Sequence, residues 1–343
     1  FIVDKTKHII VIGGGIAGTE AAIGLASNGF EVSLLERKDK LGGHVAKWDR
    51  VFPSQRHASE IVDVITIKAA KKIKTYLNSE VTGLTKTKEG FSLETISGLT
   101  LHGDGLVLAT GFSEFDAHRK EEYGYGIYEN VITSVDFEKK LKENNQLVNA
   151  RGEKPRKVAF IHCVGSRDEK VGNNYCSKLC CITAVKQAIE TKELYPDAEV
   201  YCFYMDLRMF NLSYEAIYKE AQLKYGVQFI RGRLSEAAEN ADGTLVLKVE
   251  DTLSARPLRL SVDIMVLMVG MTPSAGTRNL AEMLQLNLDE NGFVKPLDEH
   301  LGTHLSGTNG VFLAGTVSGP ANITDTINQA RALAMKVKEY FYP

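Results

Sequence analysis

A glycine-rich turn near the amino end constrains the fold of this chain more than any other feature. The segment "HIIVIGGGIAGTEAAIGLASNGFEVSLLER" contains an apolar run (His8–Ile12), a glycine turn, an alanine-rich helical stretch and a second apolar run (Glu31–Leu35). This order predicts a βαβ unit in which Gly13, Gly15 and Gly18 stand at G-x-G-x-x-G spacing between strand and helix. The sequence therefore predicts a dinucleotide-binding fold at the amino end.

Each glycine of this turn has a separate predicted task. Gly13 permits the tight turn, Gly15 lets a pyrophosphate approach the backbone, and Gly18 lets the helix pack close to the strand. The start of the helix adds N–H groups and the positive end of a dipole. Glu36, at the end of the second strand, is placed to accept hydrogen bonds from a ribose. A glycine turn without a ligand is the alternative, but it does not explain the accompanying strand, helix and acid.

Composition limits the classes of partner. A chain of 343 residues favours roughly two domains. With 41 Lys and Arg against 43 Asp and Glu, no net basic field exists to hold a nucleic acid or an anionic membrane surface. The longest apolar runs fall short of the ~20 residues that a membrane span needs. Five cysteines, mostly in one cluster, are unlike an extracellular disulfide framework, so we expect a cytoplasmic protein without nucleic-acid or membrane-spanning contacts.

Three further motifs carry a family resemblance. The segments "ERKDKLGGH", "GLVLATGF" and "TNGVFLAGTVSGPANITDTINQARALA" resemble signatures of flavoproteins of the thioredoxin reductase kind. This resemblance implies FAD and an α/β fold of two Rossmann-like dinucleotide-binding-type domains, the second inserted in the first. We expect a discontinuous FAD-binding domain at 1–113 and 273–343 around an insert at 114–272. Thr316 stands where that family usually has Asp, which removes a charged contact that backbone N–H groups and the Thr hydroxyl can replace.

The resemblance assigns the FAD contacts position by position. They are predicted at Gly13, Gly15, Ile16, Ala17, Gly18, Glu36, Arg37, Gly42, Gly43, His44, Val81, Ala109, Thr110, Gly111, Gly315, Thr316, Ile323 and Thr324. The segment after Gly43 is expected to run beside the flavin ring. Its candidates for a ring contact, each of which has a solvated surface position as the simpler interpretation, are Lys47, Trp48, Arg50, Arg56 and His57.

The insert resembles an NAD(P)H-binding domain that has lost its nucleotide site. Its first strand, "RKVAFIH", leads into "HCVGSRDE", where Gly165 is alone and no glycine trio can cradle a phosphate. No pair of arginines follows "AEVYCFYMD" to bind a 2′-phosphate. We therefore expect no productive NAD(P)H binding in this domain.

Four of the five cysteines lie within "IHCVGSRDEKVGNNYCSKLCC", at the spacing C-x12-C-x3-C-C. Cys163 is expected at the end of a strand, at the sheet edge where α/β proteins bind ligands. Cys176, Cys180 and Cys181 are expected at the start of the following helix, with the first two on one helical face. Four thiolates in this arrangement suit an iron–sulfur cluster, which the helix dipole would stabilise. Cys202, inside an apolar strand, is most simply a core residue.

Three alternatives stay open on the residues alone. A structural zinc favours paired C-x2-4-C knuckles, which this spacing lacks. A catalytic disulfide of the thioredoxin reductase type needs C-x-x-C, and a bridge between neighbours Cys180 and Cys181 would be strained. Buried cysteines with a packing role would be scattered along core faces. If a cluster is present, His162 and Arg167, which flank Cys163, are candidates to donate hydrogen bonds to its sulfurs.

Longer motifs resemble a more specific family. "IHCVGSRDE…YCSKLCCITAVKQAI", "EYGYGIYENVIT", "FYMDLRMF…YEAIYKEA" and "GVFLAGTVSGPANITDTINQA" are similar to the FAD-carrying A subunit of heterodisulfide reductases over nearly the whole chain. This resemblance implies FAD in the first domain and a 4Fe-4S cluster on Cys163, Cys176, Cys180 and Cys181. It also implies a homodimer or paired A-type subunits that relay electrons to B and C subunits, where the substrate chemistry takes place.

Departures from that family refine the expectation. Phe52-Pro53 is followed by "SQRHASEIV" without a cysteine pair, and no C-x2-C-x2-C-x3-C ferredoxin pattern precedes Pro343. The short form resembles the subunits of heterodisulfide reductase-like complexes of sulfur oxidisers. We therefore expect an electron-transfer subunit in sulfur oxidation or disulfide metabolism that does not bifurcate electrons. The alternative is a stand-alone NAD(P)H-dependent flavin disulfide oxidoreductase.

Overall fold

The computed structural model of the chain describes residues 6–343, so the first five residues of the predicted FAD-binding domain lie outside the described residues. The strands are β1 (His8–Ile12), β2 (Glu31–Leu35), β3 (Lys74–Tyr76), β4 (Val81–Lys86), β5 (Phe91–Thr95), β6 (Thr100–Gly103), β7 (Gly105–Leu108), β8 (Phe112–Glu114), β9 (Val131–Thr133), β10 (Lys157–Val164), β11 (Glu199–Tyr204), β12 (Gln228–Glu239), β13 (Leu245–Asp251), β14 (Arg256–Val262), β15 (Ile264–Val269), β16 (Met271–Pro273) and β17 (Val311–Leu313). The helices are α1 (Ile16–Ser27), α2 (Ala58–Ala70), α3 (Ser134–Asn144), α4 (Cys180–Leu194), α5 (Leu212–Leu223), α6 (Ala275–Leu284) and α7 (Ile323–Phe341).

The chain forms two compact units. The first comprises 6–46, 58–113 and 272–343, and the second comprises 47–57 and 114–271. The segment 47–57 thus groups with the second unit, whereas the sequence prediction placed it in the first. The cofactors assigned to the two domains stay predictions.

The first unit is built on a wholly parallel sheet with the strand order β17-β7-β1-β2-β3. Apolar side chains leave β1 on both faces: Ile9 and Val11 pack in a cluster with α1 and α7, and Ile10 and Ile12 pack in a cluster with α6. Burial on both faces explains why β1 and β2 are continuous apolar runs. Each fully buried aliphatic side chain contributes about 1.5–3 kcal/mol. A separate three-stranded antiparallel sheet has the order β4-β5-β6.

The second unit contains a seven-stranded sheet with the order β14-β13-β12-β11-β10-β15-β9. Strands β9, β15, β10, β11 and β12 are parallel, and β12, β13 and β14 continue the sheet as antiparallel neighbours. Val158 and Phe160 face a core cluster with α4 and α5, whereas Ala159 and Ile161 face a cluster with β13 and β14. The βαβ pattern predicted for both halves is therefore confirmed. No helix in 6–343 combines the length and apolar character that a membrane crossing requires.

Candidate functional site

The glycine turn lies at the carboxyl edge of the five-stranded sheet. A Cβ on Gly13 would lie 2.3 Å from the carbonyl oxygen of Ala109, and one on Gly18 would lie 1.9 Å from the carbonyl oxygen of Gly13. A Cβ on Gly15 would meet nothing closer than the Cα of Gly43, at 3.9 Å. The first and third glycines thus allow close packing of backbone, and the second borders open space. This division fits a turn that a pyrophosphate approaches at Gly15.

The predicted motif after β2 folds against this turn. The Gly42 N–H donates to the carbonyl oxygen of Gly14 at 2.8 Å, and Gly15 and Gly42 form an isolated parallel bridge. Both Gly42 (φ +104°) and Gly43 (φ +59°) have left-handed backbone conformations. Because side chains are rarely tolerated at such angles, glycine is required at this close approach of two loops.

Glu36 is fixed beside the glycine turn. Its buried carboxylate accepts the Gly14 N–H through Oε2 at 2.7 Å and the Lys38 N–H through Oε1 at 2.9 Å. Arg37 is exposed. Helix α1 begins at Ile16 with Gly15 as its N-cap, and no side chain caps it. Its first-turn N–H groups are therefore available to an anion, and the carboxylate keeps lone pairs for further donors.

The loop after β7 carries a contact that sequence reasoning missed. Gly111 (φ +73°) borders open space, and the Thr110 hydroxyl lies 2.5 Å from the Thr277 hydroxyl. Thr277 in turn lies 2.9 Å from the hydroxyl of Ser274, the N-cap of α6. This buried hydroxyl chain fixes the orientation of Thr110. The Ser274 cap was readable as "TPSAGT" before a helix, but its link to Thr110 depends on tertiary packing.

The closing motif also meets the glycine turn. Gly315 (φ +70°) follows β17, and a Cβ there would lie 2.6 Å from the Cβ of Ala17. Thr316 is buried, and α7 begins at Ile323, with Thr324 exposed in its first turn. The carboxyl edge of the sheet thus brings together the predicted positions that follow β1, β7 and β17.

Of the two remaining predicted FAD contacts in the first unit, His44 packs against the end of the loop after β7, and Val81 lies in another sheet. The His44 ring stacks on Phe112 with centroids 4.2 Å apart, and its Nε2 lies 2.9 Å from the Phe112 carbonyl oxygen. Val81 opens β4 in the antiparallel sheet, outside the parallel sheet that carries the glycine turn.

Cys163 occupies an irregular position in β10. The pairing of β10 with β15 shifts register between Ile161 and Val164, which marks a β-bulge. Cys163 itself has φ +59°, an uncommon angle for a residue with a side chain. Side chains on the two faces therefore cease to alternate at this point, and Cys163 joins the core cluster of Val158 and Phe160.

The structure corrects the placement of Cys176. Helix α4 begins at Cys180, so Cys180 and Cys181 lie in its first turn as predicted, but Cys176 lies outside the helix in the preceding loop. Lys178 has φ +60°, which interrupts a helical path between Cys176 and Cys180. The Lys178 N–H donates to the Cys176 sulfur at 3.3 Å. The predicted i, i+4 pairing of Cys176 and Cys180 on one helical face is therefore wrong.

The four thiols nevertheless influence one another electrostatically. A hydrogen bond with Cys180 and the Arg167 guanidinium lower the pKa of Cys163, whereas the bond with Cys163 and burial raise the pKa of Cys180. Burial, with the charges of Cys163 and Cys176, raises the pKa of Cys181 to about 12. Within 6–343, no group of three or more His, Cys, Asp or Glu side chains is arranged to hold a metal ion. The set lacks the compact geometry that a single bound ion requires.

Two arginines and an aspartate lie around these thiols, and sequence reasoning singled out only the first. Arg167 donates through Nη1 to Asp206 Oδ1 at 2.5 Å, and Arg208 Nε donates to the same oxygen at 3.3 Å. The Cys181 thiol donates to the Asp206 carbonyl oxygen at 3.7 Å. Asp206 and Arg208 fall in "FYMDLRMF", but only the fold brings this loop to the cysteines.

His162 is buried next to Cys163 without a hydrogen-bond partner for either ring nitrogen. Burial lowers the pKa of His162 to about 3, so its ring is neutral and carries a single N–H. A buried donor and acceptor that lack partners next to Cys163 fit a site whose ligand supplies the missing partner.

The loop after β10 fills the edge where a Rossmann domain binds pyrophosphate. A Cβ on Gly165 would lie 2.0 Å from the Phe115 ring, so this glycine allows side-chain packing. The hydroxyls of Ser166 and Ser177 lie 2.5 Å apart, and Ser177 accepts the Met271 N–H at 2.9 Å. Farther along, the Lys120 ammonium donates to Asp168 at 2.7 Å, both side chains being 2 % exposed.

The fold defines the class of protein. The chain matches the T. acidophilum thioredoxin reductase with a TM-score of 0.68 at 20% identity, covering 99% of this chain and 100% of that one. Lactococcus lactis thioredoxin reductase matches with a TM-score of 0.69 at 17% identity, covering 98% and 99%. The predicted α/β fold with Rossmann-like parallel sheets is thus confirmed, and it is the fold of these thioredoxin reductases.

Sequence similarity defines the family. Residues 7–334 match the pyridine nucleotide-disulphide oxidoreductase family, and the chain belongs to it. It is 31% identical to the A subunit of the H(2)/formate:CoB-CoM heterodisulfide,ferredoxin reductase of Methanococcus maripaludis and 32% identical to the iron-sulfur A subunit of the CoB--CoM heterodisulfide reductase of Methanocaldococcus jannaschii. Each match covers 98% of this chain and 64% of the relative. The chain is thus a member of this oxidoreductase family and is similar to the A subunits of heterodisulfide reductases.

Proposed function

We propose that this protein is an FAD- and 4Fe-4S-containing electron-transfer subunit of a heterodisulfide reductase-like complex in sulfur oxidation or disulfide metabolism. The carrying observation is that Cys163 and Cys180 share one core cluster, with Cys181 next to Cys180 in α4 and Cys176 in the loop before it. They lie in a second unit whose nucleotide-binding edge is filled by its own loop. Since the chain spans 64% of its curated relatives, the complex and its substrate are part of the proposal.

Several features of the first unit support FAD binding. Open space at Gly15 and Gly111, the uncapped start of α1 and the buried carboxylate of Glu36 lie along one sheet edge. In this proposal α1 binds the pyrophosphate through its first-turn N–H groups, and Glu36 accepts from the ribose. The hydroxyl chain from Ser274 to Thr110 orients a polar group toward the same edge. Bound FAD would supply two-electron chemistry.

The donor set of the second unit supports a cluster. Four cysteine thiolates are the ligand set that holds a 4Fe-4S cluster. Cys180 and Cys181 stand at the positive end of the α4 dipole, and Arg167 adds a nearby positive charge. Both stabilise thiolates and an anionic group. Bound here, the cluster would supply one-electron transfer.

The filled edge of the second unit argues against NAD(P)H as the direct electron donor. Phe115, Ser166 and Ser177 occupy the space around Gly165 and Gly270, where a Cβ on Gly270 would lie 2.3 Å from the Ser166 hydroxyl. A pyrophosphate has no glycine cradle there. Electrons would instead pass between flavin, cluster and partner subunits. We further propose a cytoplasmic homodimer or paired A-type subunits with B and C partners.

The internal sequence after Phe52-Pro53 lacks auxiliary cysteines, and Cys202 is fully buried in β11. We propose on this basis that electrons are relayed without bifurcation. A flavin redox titration with crossed one-electron potentials would overturn that part of the proposal.

The cluster is tested by iron, sulfide, zinc and FAD quantitation on anaerobically purified protein, with electron paramagnetic resonance after dithionite reduction. We expect FAD, about four irons per chain and a reduced-cluster signal. Cys180→Ser should lose the signal, and the matched control Cys202→Ser should keep it. Zinc in place of iron, or an unchanged signal in Cys180→Ser, would refute the assignment. Rapid anaerobic bleaching of the flavin by NADH would favour a stand-alone NAD(P)H-dependent disulfide oxidoreductase.

A further inference from the structure

His162 is the buried polar side chain that the fold leaves without a partner beside the proposed cluster. The residue is 7% exposed, and neither Nδ1 nor Nε2 has a hydrogen-bond partner. Leaving a buried donor or acceptor unpaired costs about 1–3 kcal/mol. An apolar side chain would fill the same core position without this cost, so an imidazole here calls for a partner.

Alternation along β10 determines which way this imidazole faces, because His162 follows Val158 and Phe160 at alternate positions. The His162 ring centroid lies 6.3 Å from that of Tyr204. Tyr204 follows Val200 and Cys202 at alternate positions of β11, and both belong to the core cluster that contains α4. The imidazole therefore lies on the α4 side of the sheet.

Cys163 lies on this side as well. It belongs to the same core cluster as Cys180 at the start of α4. In a regular strand His162 and Cys163 would point to opposite faces. The register shift between Ile161 and Val164 removes that alternation and brings Cys163 to the face that His162 already occupies.

We propose that His162 donates its single imidazole N–H to a sulfur of the cluster, an inference that rests on the proposed function. A hydrogen bond to a cluster sulfur stabilises the more negative, reduced state more than the oxidised state, because the reduced sulfurs carry more charge. His162 thereby raises the reduction potential of the cluster. The second ring nitrogen, an acceptor, is left for a protein or water donor.

The first test compares His162→Leu and His162→Gln in the holoprotein. Potentiometric titration followed by electron paramagnetic resonance should show reduction about tenfold less favourable in His162→Leu, a fall of about 59 mV for one electron. His162→Gln keeps an N–H donor and should recover part of this fall. Phe160→Leu, a packing change on the same face of the same strand, should leave the reduction potential of the cluster unchanged. Equal potentials in wild type and a cluster-loaded His162→Leu would overturn the proposal.

The second test needs no substitution. Protein labelled with 15N-histidine and reduced with dithionite is measured by pulsed electron–nuclear resonance. We expect a weak hyperfine coupling between a histidine 15N and the cluster, with an exchangeable proton that disappears in D2O. No such coupling in iron-loaded wild type refutes the role of His162 alone. Absence of iron and sulfide from wild-type protein refutes the proposed function itself.

Discussion

The glycine turn permits a matched comparison of one substitution at two helical positions. Gly18 lies in α1 and Gly276 in α6. A Cβ on Gly18 would lie 1.9 Å from the carbonyl oxygen of Gly13 and 3.1 Å from the Ala109 Cβ. A Cβ on Gly276 would meet only the Ser274 hydroxyl, at 4.0 Å. The same added methyl group should therefore have opposite effects.

The expected magnitudes follow from these distances. The atom against the Gly18 methyl belongs to the backbone of the turn and cannot rotate away, so α1 must move. Gly18→Ala should lower the free energy of unfolding by about 3 kcal/mol, near the upper end for overpacking. Gly276→Ala should raise it by about 0.5 kcal/mol, because alanine loses less backbone entropy than glycine in a helix.

Urea denaturation followed by circular dichroism measures both values, with FAD content after ultrafiltration as the functional readout. Displacement of α1 moves the N–H groups that the FAD proposal needs, so Gly18→Ala should also release FAD, and Gly276→Ala should retain it. A Gly18→Ala protein within about 0.5 kcal/mol of wild type would refute the packing argument. Normal stability with lost FAD would assign Gly18 a direct contact with the cofactor.

Three other predictions concern the second unit. Lys120→Met should lower the free energy of unfolding by about 2 kcal/mol in urea denaturation, because the buried Asp168 carboxylate loses its ammonium partner and keeps the Arg233 guanidinium at 3.2 Å. A loss below about 1 kcal/mol would contradict this reasoning. Burial raises the pKa of Glu190 from 4.5 to about 8, so its contribution to stability is present below pH 4.5 and is lost as the pH rises toward 8. Over that interval the free energy of unfolding of wild type should fall by up to about 1.4 kcal/mol per pH unit relative to that of Glu190→Gln. If the free energies of unfolding of the two proteins changed in parallel with pH, the raised pKa of Glu190 would be contradicted. Gly165→Ala should lower the melting temperature, since its Cβ would lie 2.0 Å from the Phe115 ring, and an unchanged melting temperature would show that the ring can move.

The sequence was sufficient to predict strands, helices and their order where the local residue pattern agrees with the backbone geometry. The apolar runs of β1 and β2 and the glycine spacing predicted the first βαβ unit with its strand bounds. The same reasoning predicted a second unit with a strand before Cys163 and a helix after Cys181. These features depend on residue spacing within about 30 positions, which a linear sequence displays directly.

The position of Cys176 shows where local reasoning fails. A helical extension back from Cys180 was consistent with the spacing, but Ser177 is held by Ser166 and by the Met271 N–H, and Lys178 takes a left-handed angle. Met271 is 94 residues away from Ser177 in the chain. Contacts between residues so far apart in the chain override local helix propensity. The spacing of the cysteines in the sequence does not predict such contacts.

The sequence by itself determined the class of the fold, the glycine turn and the identity of the four clustered thiols. Tertiary structure alone decided that segment 47–57 joins the second unit, that Ser274 and Thr277 orient Thr110, and that Asp206 and Arg208 border the cysteines. It also decided that a bulge turns Cys163 to the face of β10 that His162 occupies. The physical reason is common to all of these: strand register and loop packing are set by the whole sheet, and a shift of one residue reverses which face a side chain occupies.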